Sequence, residues 1–159
     1  MARISNSSTS LFARAVCVLT SLITLSSFAA IAQKRGGEDE PVFREYRGVQ
    51  IGMTVEEARK KLGNPKDKGE GQDFFTFNER ESLLVGYDKT NKVTLVSVDF
   101  QAGAEGIPAA KTVMGSDLEA KTDGSMYKMI RYPKAGFWVA YSRTAGDSPM
   151  ISITIQKIE

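Results

Sequence analysis

The sequence predicts an α+β fold in which two tandem units pack as one small domain, each unit being a helix followed by a three-stranded antiparallel meander. Three observations predict this class. A capped amphipathic segment begins near residue 54, aromatic and β-branched segments follow it, and the same order of elements recurs about 52 residues later. The predicted units span about 43–102 and 107–159.

The first helix has clear start and stop signals. Thr54 is a good N-cap, and Glu57, three residues later, completes a capping box. Three apolar residues then share one helical face: Val55, Ala58 and Leu62. Gly63 suits a left-handed C-terminal position and Pro65 prevents continuation. The pattern predicts a helix over 55–62.

Three strands are predicted behind this helix, at 74–78, 83–87 and 93–101. Residues 88–92 are rich in turn formers and connect the last two strands. The second unit is predicted to repeat this arrangement, with a weaker helix between Ile107 and Gly115 that has no capping box. The matched strand residues are Phe75 and Phe77 with Tyr127 and Met129, Leu83–Tyr87 with Phe137–Tyr141, and Val96, Val98 and Phe100 with Ile151, Ile153 and Ile155.

The residues around the first helix resemble a known motif. They are Gly52, Met53, Thr54, Glu57, Ala58, Leu62, Gly63 and Pro65. The segment resembles the SmpA/OmlA domain of the BamE lipoproteins, which is similar in turn to one half of the tandem β-lactamase inhibitory proteins. The resemblance implies a helix-and-meander fold, protein binding in the bacterial envelope and no catalysis. The chain departs from both groups, since it has neither a lipid-anchoring cysteine after the signal nor disulfides.

Residues 1–32 are predicted to be a cleavable signal peptide. An apolar run over 16–32 ends in Ala30-Ile31-Ala32, a small-x-small pattern that places cleavage before Gln33. The alternative is an uncleaved membrane anchor, although the run is short and rich in Ser and Thr for a bilayer span. Residues 33–42 are then a flexible linker, 43–159 form the duplicated domain, and the location is periplasmic or secreted, without a stable membrane anchor.

Composition excludes several kinds of chemistry. The chain has no histidine, and its single cysteine, Cys17, lies in the predicted signal. The usual general base, thiol nucleophiles and the commonest metal ligands are therefore missing, and we expect no catalytic residues, no cofactor and no metal site. The net charge of +2 equals the charge of Arg3 and Arg14 in the signal, so no basic surface argues for nucleic acid. Catalysis by a pair of carboxylates stays open.

Strand alternation predicts one candidate protein-binding face. If Val96, Val98 and Phe100 and their counterparts face the core, the alternate residues face away. The predicted face consists of Trp138, Leu84, Thr154 and Ser152, with Tyr127 and Arg131 one strand over. Trp138 is the proposed anchor, because Trp is common at interface centres. The alternative is that the loop over 102–110 or the linker covers Trp138.

The function that these observations favour is an exported, non-enzymatic and inhibitor-like module that binds another envelope protein. One alternative is a structural factor for outer-membrane assembly, like BamE. A carboxylate-dependent hydrolase is the remaining alternative.

Overall fold

The computed structural model describes residues 40–159. The predicted signal peptide, its cleavage position and residues 33–39 of the predicted linker lie outside the described residues. The elements of residues 40–159 are β1 (Glu45–Tyr46), β2 (Val49–Gln50), α1 (Val55–Leu62), β3 (Asp67–Gly69), β4 (Gln72–Asn78), β5 (Glu81–Tyr87), β6 (Val93–Phe100), α2 (Ala110–Met114), β7 (Met126–Tyr132), β8 (Phe137–Arg143) and β9 (Ile151–Lys157). Neither helix in this range is long and apolar enough to cross a bilayer.

Seven of the strands form one antiparallel sheet in the order β3-β4-β5-β6-β9-β8-β7. β1 and β2 form a separate two-stranded hairpin. The middle of the large sheet is the β6–β9 pair, where Ser97 lies opposite Thr154 and Val98 lies opposite Ile153. This pair joins two groups of strands that are distant in the sequence into a single layer.

The predicted α+β class is wrong. The described chain is mostly β, with nine strands in two antiparallel sheets and only 11% helix, and it does not consist of two helix-plus-meander units. α2 has only five residues and its N-cap, Ala109, makes no side-chain hydrogen bond. Its Thr112 and Val113 are β-branched residues that favour helices weakly. The β6–β9 pairing joins the strands of both predicted units into one sheet.

One of the strand matches behind the predicted duplication is also wrong. Phe75 is 2% exposed and belongs to the core, whereas Tyr127 and Met129 are 63% and 42% exposed. Successive side chains of a strand point to opposite faces, so a match displaced by one residue exchanges the two faces. The residue match between β4 and β7 is therefore out of parity, although each is the third strand outward from the middle of the sheet. β1, β2 and β3 were not predicted at all.

Helix α1 is confirmed at its predicted bounds. The N–H of Glu57 donates to Thr54 Oγ1 over 3.1 Å, and the N–H of Thr54 donates to Glu57 Oε2 over 2.8 Å, which is the predicted capping box. Gly63 has φ 87° and ψ −157°, so its φ is positive but it does not take the predicted left-handed helical conformation.

Replacing Thr54 with alanine is expected to lower the free energy of unfolding by about 1 kcal/mol, because the helix loses one side of its capping box. Urea denaturation of the variant measures this change. Thr122→Ala is the matched control, since Thr122 lies in an exposed turn outside any helix. An equal loss in both variants would contradict a role for the cap.

The core lies on one face of the seven-stranded sheet. The residues that build it from the strands are Leu83, Val85, Val96, Val98, Phe100, Val139, Ile153 and Ile155, with Val49, Ala58, Val113 and Met114 from β2 and the helices. The predicted inward parity of β5, β6, β8 and β9 is thus confirmed. Both helices pack on this face, which leaves the opposite face of the sheet free of helices in residues 40–159.

Candidate functional site

The face of the sheet that lies away from the helices is called the outer face here, and strand pairing defines its residues. Residues directly opposite each other on paired strands point to the same side. Three rows run across it from β4 to β7: Phe74, Leu84, Ser97, Thr154, Ala140 and Met129; Thr76, Ser82, Asp99, Ser152, Ser142 and Tyr127; Gln72, Gly86, Leu95, Gln156, Trp138 and Arg131. Ala140 and Gly86 are the only two of these residues that are buried.

All six predicted residues lie on the outer face, but they do not form one cluster. Trp138 on β8 lies opposite Arg131 on β7, and Tyr127 is four residues before Arg131 on the same strand. Leu84 is on β5, three strand spacings from β8, which is about 14 Å. The structure therefore brings Trp138, Arg131 and Tyr127 together at one end of the sheet and leaves Leu84 apart.

The two predicted hydroxyl residues occupy the middle of the outer face. Thr154 and Ser97 are hydrogen-bonded to each other over 2.9 Å across the β6–β9 pair. Ser152 donates a short hydrogen bond to Asp99 across the same pair. Both hydroxyls thus have partners within the face. Five of the six outer-face residues in the central β6–β9 pair are polar, and the sixth is Leu95.

Sequence reasoning missed three apolar residues of the outer face. Met129 lies between Tyr127 and Arg131 on β7 and is 42% exposed, and Phe74 on β4 is 37% exposed. Leu95 lies opposite Gly86 on β5 and is partly exposed. Alternation was the signal that could have found them, since Met129 shares the parity of Tyr127 and Phe74 directly precedes the buried Phe75.

Trp138 is partly exposed. The loop over 102–110 was one predicted cover for it, but three apolar residues of that loop, Ala104, Ile107 and Ala110, pack against the core. They therefore lie toward the opposite face from Trp138. The other predicted cover, the linker, falls largely outside the described residues.

Two buried carboxylates lie on the core side, and each is held by an arginine and a tyrosine. Asp73 is 1% exposed and accepts hydrogen bonds from Arg59 Nε and Nη2 at 2.8 and 2.9 Å and from the Tyr87 hydroxyl at 2.9 Å. Burial opposes ionisation of Asp73, but the hydrogen bonds from Arg59 and Tyr87 outweigh it and hold its pKa below the usual range. Asp73 is therefore ionised at neutral pH.

Glu81 on β5 is held in the same way by the β1–β2 hairpin. Arg47 donates to its two carboxylate oxygens at 2.8 and 2.9 Å, and the Tyr46 hydroxyl donates at 2.6 Å. Burial and the hydrogen bond to Glu81 raise the pKa of Tyr46 to about 12. The Arg47 guanidinium also lies 4.0 Å from the ring centre of Phe77. These contacts fasten the hairpin onto the sheet.

A small cavity of about 230 Å³ opens beside Asp73 and is lined by Arg59, Tyr87 and Gln72 among others. Its one arginine is already paired with Asp73. Within residues 40–159, no three acidic side chains lie close enough together to hold a metal ion.

Comparisons with protein-family models, with curated proteins and with solved structures gave no match for this chain. The resemblance to the SmpA/OmlA domain thus rests on the motif around α1 and stays a prediction.

Proposed function

We propose that the protein is an exported, non-enzymatic module of the bacterial envelope that binds another protein through the β7–β8 end of the outer face. The sequence of residues 1–32 supports export, because it has the apolar run and small-x-small ending of a secretory signal. The motif around α1 supports an envelope role by resemblance.

The observation that carries the proposal is the group of side chains at this end of the sheet. Tyr127 and Met129 are 63% and 42% exposed, and Trp138 and Arg131 lie opposite each other beside them. Trp, Tyr and Arg are the residue types most enriched among interface residues that dominate binding energy, and Met is also enriched at interfaces. Exposed apolar side chains concentrated at one place on a surface indicate an interaction site.

The buried carboxylates support a non-enzymatic role. A carboxyl group that acts as a general acid at neutral pH needs a raised pKa. The pKa of Asp73 is shifted in the opposite direction, and both of its oxygens are occupied by Arg59 and Tyr87. Asp73 is better explained as the residue that attaches α1 to the sheet through Arg59. Glu81 attaches the β1–β2 hairpin in the same way, through Tyr46 and Arg47.

Site-specific crosslinking tests the proposal directly. A photoreactive phenylalanine derivative is placed at Tyr127 on the outer face, or at Lys60, an exposed residue of α1 on the opposite side of the sheet. Irradiation in the protein's own envelope fraction is expected to yield a discrete protein adduct from position 127 and none from position 60. Equal labelling from both positions, or none from position 127, would count against the outer face as the binding site.

Replacing Trp138 with alanine is expected to weaken the adduct formed from position 127 while lowering the free energy of unfolding by no more than about 1 kcal/mol. The reason is that Trp138 is partly exposed and lies away from the core. Tyr141→Ala on the same strand is the contrasting variant, because Tyr141 is 4% exposed and faces the core. Thermal unfolding of both variants checks the stability, and a loss at Trp138 as large as the loss at Tyr141 would identify it as a core residue.

A further inference from the structure

The two edges of the seven-stranded sheet differ sharply. β3 has only three residues, all exposed, and it ends at Gly69. Such a short, charged edge is typical of sheets that avoid pairing with other chains. β7 at the other edge has seven residues, contains neither Pro nor Gly, and pairs with β8 without a register shift.

The free side of β7 offers main-chain hydrogen bonds. In an antiparallel pair, alternate residues direct their N–H and C=O groups away from the partner strand. Among residues 40–159, the only strand that pairs with β7 is β8. The strand is therefore long and regular enough to accept one more strand along its outer edge.

The side chains of β7 give this edge a defined chemistry. Tyr127 and Met129 are exposed on the outer face, and Lys128 and Arg131 add two positive charges. The strand contains no acidic residue. Lys128 Nζ donates to Ser116 Oγ over 2.8 Å, and Arg131 makes no ion pair with another described residue. Neither cation is matched by a carboxylate within the described structure.

We propose that β7 binds an extended acidic segment of the partner protein as an eighth strand of the sheet. This inference rests on the proposed function and adds the chemistry of the partner to it. Main-chain bonds supply affinity in this mode of recognition, and alternate side chains supply specificity. A carboxylate opposite Arg131 forms a favourable cross-strand pair, and an apolar side chain opposite Met129 covers its exposed surface.

Charge argues against a second copy of this chain as the occupant. The β7 strand of a second copy brings Lys128 and Arg131 but no carboxylate. Its pairing would therefore add cations to an edge whose cations already lack acidic partners. Like charges that lie opposite each other on paired strands are destabilising, so a second copy is disfavoured. An acidic strand instead places carboxylates beside these cations.

Two synthetic peptides test the proposal with the purified full-length chain. One is a blocked nine-residue peptide in which glutamate alternates with valine and threonine, and the other carries lysine at every glutamate position. The glutamate peptide is expected to slow hydrogen exchange at the outward-facing amides of β7, while the lysine peptide leaves them unchanged. Amide protection on β7 distinguishes strand addition from contact with the side chains of the outer face alone.

Arg131→Glu is expected to weaken binding of the glutamate peptide about fivefold, since a favourable cross-strand pair is replaced by a repulsive one worth together about 1 kcal/mol. Lys89→Glu is the control with the same change of charge, because Lys89 lies in the exposed β5–β6 turn. Binding of the glutamate peptide to this control is expected to change less than twofold, because salt screens the charge at position 89 from a peptide bound at β7.

Three results would overturn the proposal. They are equal protection by both peptides, no protection of β7 by the glutamate peptide, and protection that rises with protein concentration alone, which would identify a second copy as the occupant. Each of these leaves the crosslinking result at Tyr127 standing, so the edge-strand inference can fail while the outer face remains the binding site.

Discussion

Replacing Phe100 with alanine is expected to lower the free energy of unfolding by about 4 kcal/mol. Phe100 is 1% exposed at the end of β6, and its ring meets Tyr46 edge to face at 6.0 Å. Truncation removes the buried ring and leaves a cavity between the large sheet and the β1–β2 hairpin. It also removes the contact between the Phe100 and Tyr46 rings, and aromatic pairs of this kind stabilise a fold beyond the area they bury. Guanidinium denaturation measures the change, and the dependence of the unfolding free energy on denaturant concentration is compared between the variants.

Phe74→Ala is the matched control for this experiment. The chemical change is the same and the residue lies in the same sheet, but Phe74 is 37% exposed on the outer face. We expect a loss of no more than about 1 kcal/mol, as for partly exposed positions in general. Losses of similar size in both variants would show that the outer face is packed, which contradicts its assignment as an open surface.

Replacing Asp73 with alanine is expected to cost about 2 kcal/mol at neutral pH, because the buried bonds from Arg59 and Tyr87 lose their acceptor. The value lies below the range for fully buried ion pairs, since the Arg59 side chain is 38% exposed and regains water. Asp67→Ala is the control, since Asp67 is an exposed residue of β3. The free energy of unfolding of Asp67→Ala should fall by no more than about 0.5 kcal/mol.

The contribution of Asp73 also predicts a pH dependence. Its pKa is lowered in the folded state, so its stabilisation is fully present above the pKa of the unfolded chain, about 3.9, and is lost as the pH falls through the folded value. The stability difference between wild type and Asp73→Ala should therefore be constant from pH 7 to about 5 and shrink below about pH 4. A difference that stays constant down to pH 2 would show that the carboxylate charge does not matter.

The features predicted correctly from the sequence are the ones that neighbouring residues determine. The α1 bounds follow from Thr54, Glu57 and Pro65, which lie within twelve positions of one another. The inward parity of β6 follows from simple alternation of Val96, Val98 and Phe100. Each depends on local hydrogen bonding or on the two-residue repeat of a strand, and both are visible in a short window.

The fold class was predicted wrongly because it depends on contacts between distant segments. Nothing near Ser97 indicates that its strand pairs with the one containing Thr154, 57 residues later. The pairing of Arg47 with Glu81 is similarly remote, at 34 residues, and it fastens a hairpin that the sequence did not predict. Without these contacts, two local patterns were interpreted as two tandem helix-plus-meander units.

The candidate site was also predicted only in part, because local alternation determines some of it and the order of the strands determines the rest. Alternation placed Trp138 and Leu84 on one face correctly, but only the strand order shows that three strand spacings separate them. The cluster of Trp138, Arg131 and Tyr127 likewise depends on the β7–β8 register. Met129 was missed although it shares the parity of Tyr127 and Arg131 on β7.

The position of β9 has a consequence for the order in which the sheet can assemble. β9 follows every other strand of the sheet in the chain, yet it lies between β6 and β8. β5 and β6 can form their hairpin early, as can β7 and β8, but the two groups of strands are not paired with each other until β9 takes its place. Pairing of β9 with β6 is expected to be slow, because the chain between them must lose its loop entropy before the contacts form. The sheet is therefore expected to remain incomplete until β9 has paired with both β6 and β8.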